Sequence, residues 1–380
     1  MRNTNYYIFK IPILTFLIIL VFFIFSKIFT TDSITNKKNI KSNIDYKIVE
    51  KIDKMTLDEK IGQMILSGFN GTCFNKELNT LINDFKVGGV ILFSRNIEDS
   101  KQLKKLTSDI IDKNQDIPLF ISIDEEGGRV SRLPKDIKKF ESSKSIGDRG
   151  DEKYAYENGR GIGGILKKYN INMNFAPVLD IYSNPKNTVI GDRAFGDNEK
   201  VVSSMGIATM KGLKDENVIP VIKHFPGHGD TEVDSHLGLP IVEKNLKQLN
   251  ELELIPFNKA IENGVGAIMV SHILIKEIDD KYPATLSYNL INNILRNDMK
   301  FENIVITDDM LMKAITDYIS IEEASVKSIK AGTDIILIGS DVNKTESVIE
   351  RIKLAVANNE ISEERIDKSV YRILKQKETL

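Results

Sequence analysis

A closed (β/α)8 barrel of the TIM type, a single domain behind an N-terminal membrane anchor or signal segment, is the α/β fold that this chain predicts. Three observations carry that expectation. Short β-branched runs recur eight times between Met64 and Ile338. Each is followed by a loop and a charged stretch with helical spacing, the order that parallel strands joined by crossover helices require. Polar residues collect at the carboxyl ends of the runs, where a barrel of this kind carries its chemistry. An open doubly wound sheet is the second choice, because it is built from the same βα units.

The chain opens with Arg2 and Lys10 ahead of Ile11 to Phe25, an uncharged and almost wholly apolar run, and Lys27 follows it. Charge, then an apolar core, then polar residues is the order of an export signal. Residues 1–29 are therefore expected to be a signal-anchor or signal peptide that leaves the remainder outside the cell. Residues 30–45, polar and rich in Lys and Asn, are expected to be a tether. The folded body is expected over 46–380. Its runs are Met64 to Leu66, Gly89 to Phe93, Leu119 to Ile123, Asn172 to Leu179, Ile219 to Lys223, Ala267 to Ser271, Asn303 to Thr307 and Asp334 to Ile338. Asp124 ends the third, Asp180 the fourth, Lys223 and His224 the fifth, His272 the sixth and Asp308 the seventh. Helix capping can account for one or two strand-end acids, but not for a lysine followed by a histidine. Beyond the eighth run, Glu346 to Ala357 and Ser362 to Gln376 have amphipathic helical spacing, so the catalytic groups are expected to come from the barrel and its loops.

With 52 basic and 54 acidic residues the net charge is -2, which gives no electrostatic case for nucleic-acid binding. One cysteine, Cys73, excludes both an internal disulfide and a thiolate metal cluster. No bound cofactor is implied, a monomer is expected, and membrane contact is expected through the N-terminal segment alone.

Lys223 to Pro240 holds three of the four histidines. Pro226, Gly227, Gly229, Gly238 and Pro240 exclude a regular helix and demand a shaped loop. Asp234 and His236 flank Ser235, so in an extended loop their side chains point the same way. A carboxylate beside an imidazole fixes its tautomer and stabilises its protonated form, which makes a competent acid/base unit. Ile304 to Met310 carries Asp308 and Asp309 to a strand end, where a carboxylate could attack an electrophilic carbon. Strand alternation puts those two on opposite faces without saying which faces inward. A second reading gives His224, His228, His236, Asp230 and Asp234 to a divalent metal, although their spacing matches no common ligand pattern. For Arg129 and Arg132 the plain structural expectation is an ion pair with Glu125 or Glu126, and for Arg129 it is the preferred one.

Four segments, Met55 to Met64, Ile123 to Val130, Lys223 to Pro240 and Pro283 to Ser287, resemble glycoside hydrolase family 3. The combination of Lys223-His224-Phe225-Pro226-Gly227-His228-Gly229 with Asp234-Ser235-His236 is similar to its single-domain β-N-acetylhexosaminidase branch. The resemblance implies a retaining exo-β-N-acetylglucosaminidase that trims terminal N-acetylglucosamine from a carbohydrate substrate such as muropeptide fragments of peptidoglycan. It implies Asp308 as nucleophile, His236 as acid and then base, and Asp234 as the group that orients His236. It further implies Asp124, Arg132, Arg193, Lys223 and His224 as sugar-binding residues. The alternatives are a β-glucosidase-type exo-glycosidase, a phosphorylase that uses the same groups, and a wall-binding protein without turnover.

Overall fold

The computed structural model describes residues 44–114, 117–232, 234, 235 and 237–380. The expected anchor over 1–29 lies outside the described residues, as do nearly all of the tether and His236. The chain divides into two compact units, Met1–Asp53 and Lys54–Leu380. In the first, the described residues form a helix from 44 onward. No helix among the described residues is long and apolar enough to cross a membrane.

The second unit is the barrel. In chain order its strands are β1 (Ile65–Ser67), β2 (Gly89–Leu92), β3 (Phe120–Ile123), β4 (Met173–Asn174), β5 (Ile219–Phe225), the short β6 (Ile241–Val242), β7 (Ala267–Val270), the short β8 (Leu274–Ile275), β9 (Ile304–Thr307) and β10 (Ile336–Ile338). Eight form one sheet in the order β10-β1-β2-β3-β4-β5-β7-β9, and every pairing in it is parallel. A parallel bridge between Ile306 and Ile335 brings its two edges together. Apart from Lys223, His224 and a few small polar side chains, these strands are apolar, and all of them are buried along their whole length. Strands covered on both faces read as continuous hydrophobic runs rather than alternating ones.

Helix starts are set by local chemistry. Thr56 and Glu59 form a reciprocal capping box ahead of Leu57–Gln63, with Glu59 Oε2 accepting the Thr56 N–H at 2.8 Å. Asn198 caps Glu199–Asp215, and Asp151 caps Glu152–Lys168. Those two helices approach closely enough that a β-carbon on Gly212 would fall 2.2 Å from the Tyr156 carbonyl oxygen.

The fourth run is shorter than its sequence suggests. Regular pairing stops at Asn174, and only Val178 bridges back to Lys223, since Pro177 has no N–H to give the ladder. The fifth is longer, reaching Phe225 with a register shift between Ile222 and Phe225. The β6–β8 pair has no counterpart in the sequence reading; it ties the chain beyond the histidine loop to the segment that follows β7.

Candidate active site

At the carboxyl ends of the strands a cavity opens, lined by Asp124, Glu126, Arg132, Arg193, Lys223, His224, His228, Ser235, Asp308 and Asp309 among apolar neighbours that include Phe93, Phe175, Met269 and Leu337. Asp124 and Glu126 follow β3, Lys223 and His224 lie on β5, and Asp308 and Asp309 follow β9. Neighbouring residues on a strand normally face opposite ways. Lys223 and His224 both meet the cavity because they sit within the register shift of β5, and such irregularities re-aim side chains.

A charge network forms one wall. Lys223 Nζ lies 2.7 Å from both Asp124 Oδ1 and Glu126 Oε1. The Arg193 fork grips Glu126 with Nε and one terminal nitrogen, each at 2.8 Å. Burial alone would push the Glu126 carboxyl up, but Lys223 and Arg193 hold it far below the usual carboxylate range. By the same exchange Lys223 and Arg193 are kept charged despite their burial. Arg132 also reaches the cavity, and its Nε is buried without a hydrogen-bond partner among the described residues. A ligand oxygen is the natural acceptor for it, because a buried donor left unpaired costs roughly 1–3 kcal/mol.

Asp180, buried beneath this wall, sets the two histidines. Its Oδ2 lies 2.6 Å from His224 Nδ1, and its Oδ1 accepts the backbone N–H of His228 at 2.7 Å. An Arg193 nitrogen lies 3.3 Å from His224 Nε2, and a guanidinium can only donate. The His224 proton is therefore directed to Asp180. His228 bonds Thr231 Oγ1 through Nδ1 at 2.8 Å and Ser235 Oγ through Nε2 at 3.3 Å. Burial, aided by the neighbouring His224, brings the His228 imidazole down to about 4, so it is neutral at physiological pH. Gly229 is forced here: a β-carbon would lie 1.7 Å from the Ile181 carbonyl oxygen. Gly229→Ala is expected to cost about 1–3 kcal/mol of stability by overpacking, read as a lower Tm.

Asp308 and Asp309 depart from the alternation expected of them. β9 ends at Thr307, so both lie past the pleat and both line the cavity. Burial raises the Asp308 carboxyl, but the neighbouring His272 and then His224, with the Asp309 N–H, outweigh it and hold Asp308 below the usual range. Asp308 is the more anionic of the pair. Asp309 is pushed up by burial, even though its Oδ1 accepts N–H groups from Leu311 at 3.0 Å and Gly339 at 2.9 Å.

Asp124, Arg132, Arg193, Lys223, His224 and Asp308 thus share one cavity. In the histidine loop His228 and Ser235 join its wall and Asp234 does not; Asp234 is half-buried and accepts the Leu237 and Gly238 N–H groups through its backbone carbonyl. The expected partner of Arg129 was wrong. It pairs with Asp192 at 2.6 Å and binds the carbonyls of Thr188, Val189 and Ile190, stapling the loop that carries Arg193. Glu125 instead clamps the turn bearing Arg132, accepting from Ser131 Oγ and from the Arg132 and Leu133 N–H groups. Glu126 was missed as a site residue, although its spacing of two from Asp124 was a usable signal. Asp230, assigned to metal in the second reading, pairs with Lys244 at 2.9 Å. Among the described residues no three His, Cys, Asp or Glu side chains converge as a metal site would require.

The chain is similar to known proteins over most of its length. The family model described as the glycosyl hydrolase family 3 N-terminal domain matches residues 56–376. β-Hexosaminidase A of Pseudoalteromonas piscicida is 35% identical over 336 residues, covering 81% of this chain and 56% of that protein. β-Hexosaminidase LpqI of Mycobacterium tuberculosis is 30% identical, covering 84% of this chain and 82% of its own length. The solved family 3 β-N-acetylglucosaminidase of Paenibacillus sp. str. FPU-7 superposes with a TM-score of 0.84 at 40% identity, over 86% of this chain and 62% of that one. The chain therefore spans less than two thirds of the Pseudoalteromonas and Paenibacillus proteins, and more than two thirds of the mycobacterial one. Matched over most of its length, the chain belongs to glycosyl hydrolase family 3.

Proposed function

We propose that this protein is a retaining exo-β-N-acetylglucosaminidase that removes terminal β-linked N-acetylglucosamine. The observation that carries the reading is Asp308, an ionised carboxylate at the end of β9 that opens on a cavity walled by oriented charged donors and acceptors. Sugar hydroxyls in a dry pocket need such partners, and charge-assisted hydrogen bonds are the strong ones.

In this reading an Asp308 oxygen attacks the anomeric carbon as the glycosidic bond breaks, and His236 gives its proton to the departing oxygen. The glycosyl ester is then opened by a water that His236 deprotonates, and two inversions give net retention. Asp234 orients His236. An imidazole in place of the second carboxylate departs from the usual pair in retaining glycosidases. Lys223, Arg193, His224, Asp124 and Arg132 hold the sugar. The N-terminal run Ile11 to Phe25 supports a place outside the cell, and there the substrate would be β-linked N-acetylglucosaminyl fragments of peptidoglycan.

The full chain is expected to turn over 4-nitrophenyl N-acetyl-β-glucosaminide and an N-acetylglucosaminyl-N-acetylmuramic acid fragment, and to leave the corresponding glucoside nearly untouched. Preference for the glucoside contradicts the reading, and a sugar 1-phosphate formed in phosphate buffer converts it to phosphorolysis. His236→Ala is expected to lower kcat about 10²–10⁴-fold on the muramic acid fragment, the usual worth of a general acid/base, and less on the nitrophenyl substrate, whose leaving group needs little protonation.

A further inference from the structure

Two features have no part in the mechanism above: His272, the fourth histidine, and the segment Pro283 to Ser287. The structure joins them. His272 follows β7, and Thr285 sits in the turn Ala284–Leu286; both are fully buried. His272 Nδ1 lies 2.7 Å from Thr285 Oγ1, and His272 Nε2 lies 3.0 Å from the carbonyl oxygen of Asp309. Thr285 Oγ1 in turn lies 2.7 Å from the carbonyl oxygen of Ser271.

Counting protons in this chain points to one arrangement. A carbonyl only accepts, so Nε2 donates to Asp309. The Thr285 hydroxyl has a single proton, and the Ser271 carbonyl is a well-placed acceptor for it. All three contacts are hydrogen bonds only when the Thr285 proton goes to the Ser271 carbonyl and Nδ1 donates to Thr285 Oγ1, and in that arrangement the ring carries both protons. The cation so formed stands beside Asp308, and among the influences that offset the burial of Asp308 the charge of His272 comes first.

We propose that His272 is a positioning residue of this site: clamped between Thr285 and the Asp309 carbonyl, it fixes the turn at the end of β9 and sets a buried positive charge against Asp308. The proposal rests on the reading of Asp308 as nucleophile. Among the described residues, the other charged or titratable groups that act on Asp308 include His224 and Lys223 from β5 and Asp309 from its own turn, with His228 behind them. A cation at His272 favours the ionised form of Asp308, the form that attacks. Removing it raises the proton affinity of Asp308, so the acid limb of the kcat/KM profile moves to higher pH.

The test is the pH dependence of kcat/KM for the full chain and for His272→Gln, Thr285→Val and Thr285→Ser, on 4-nitrophenyl N-acetyl-β-glucosaminide. The acid limb is expected to rise by roughly one pH unit in His272→Gln, the size of a lost neighbouring charge. It is expected to rise in the same direction in Thr285→Val, and to stay near the parent in Thr285→Ser. A lower kcat with an unmoved acid limb would make His272 a structural prop and overturn the proposal. Should the variants fail to fold, ¹⁵N NMR of the histidine-labelled parent decides: two protonated ring nitrogens on His272 at neutral pH are expected, and a neutral ring overturns it. Asp308→Asn keeps the two ideas apart. If it retains turnover, the nucleophile reading has failed; if it is inactive while the His272→Gln limb is unmoved, only this proposal has.

Discussion

Asp308→Asn is expected to reduce kcat on 4-nitrophenyl N-acetyl-β-glucosaminide by roughly 10⁴-fold or more, the scale seen when a covalent nucleophile is removed. The substitution is nearly isosteric and keeps the oxygen that accepts the Asp309 N–H at 2.8 Å, so folding is preserved and the loss belongs to chemistry. Asp309→Asn is the informative companion. The amide it introduces retains an oxygen for the Leu311 and Gly339 N–H groups, and the parent carboxyl is already driven toward its neutral form by burial. Turnover within about tenfold of the parent is expected, because the hydrogen bonds survive. Equal losses in both variants would mean that the pair acts as one unit, and an active Asp308→Asn would end the assignment.

Lys223→Met is expected to be the most damaging substitution in the charge network. It leaves Asp124 without its cation and Glu126 with Arg193 alone, both inside a wall that water hardly reaches. Breaking a buried ion pair by removing one partner costs roughly 3–5 kcal/mol, whereas removing both partners is often close to neutral. Lys223→Met should therefore lower Tm markedly and raise KM. The double variant Lys223→Met/Asp124→Asn should recover part of the Tm without recovering sugar binding. The pH dependence has a definite sign. Because the folded-state proton affinity of Glu126 is depressed, its contribution is present above the ordinary carboxylate range and is lost as pH falls. In thermal melts the parent should thus lose stability on acidification more steeply than Glu126→Gln. A Lys223→Met protein as stable as the parent would contradict the network.

The barrel was legible because strands buried on both faces write themselves as uninterrupted apolar runs, and seven of the eight runs lie close to the strands observed. The fourth misleads. Asn172 to Leu179 is apolar enough for a long strand, yet Pro177 cannot feed a ladder, and regular pairing is confined to Met173–Asn174. The β6–β8 pair escaped notice because two-residue strands have no periodicity to detect. Alternation, a rule about pleated backbone, was applied to Asp308 and Asp309 just beyond the strand where it stops holding. The partner of Arg129 lies 63 residues away, in the loop after the fourth run, and nothing local in the sequence distinguishes Asp192 from the nearer Glu125 and Glu126. Asp180 was seen as a strand end, but its work beneath His224 and His228 depends on a bend of the chain that only the folded structure displays.

The most direct test of the nucleophile is to catch it in the act. The full chain, incubated with a 5-fluoro N-acetyl-β-glucosaminyl fluoride that loads quickly and hydrolyses slowly, is cleaved with pepsin and sequenced by tandem mass spectrometry. One sugar attached to Asp308 is the expected product, formed more slowly in His272→Gln. An adduct on Asp309 or Asp124, or steady turnover of natural substrate with no adduct on any carboxylate, would contradict the account.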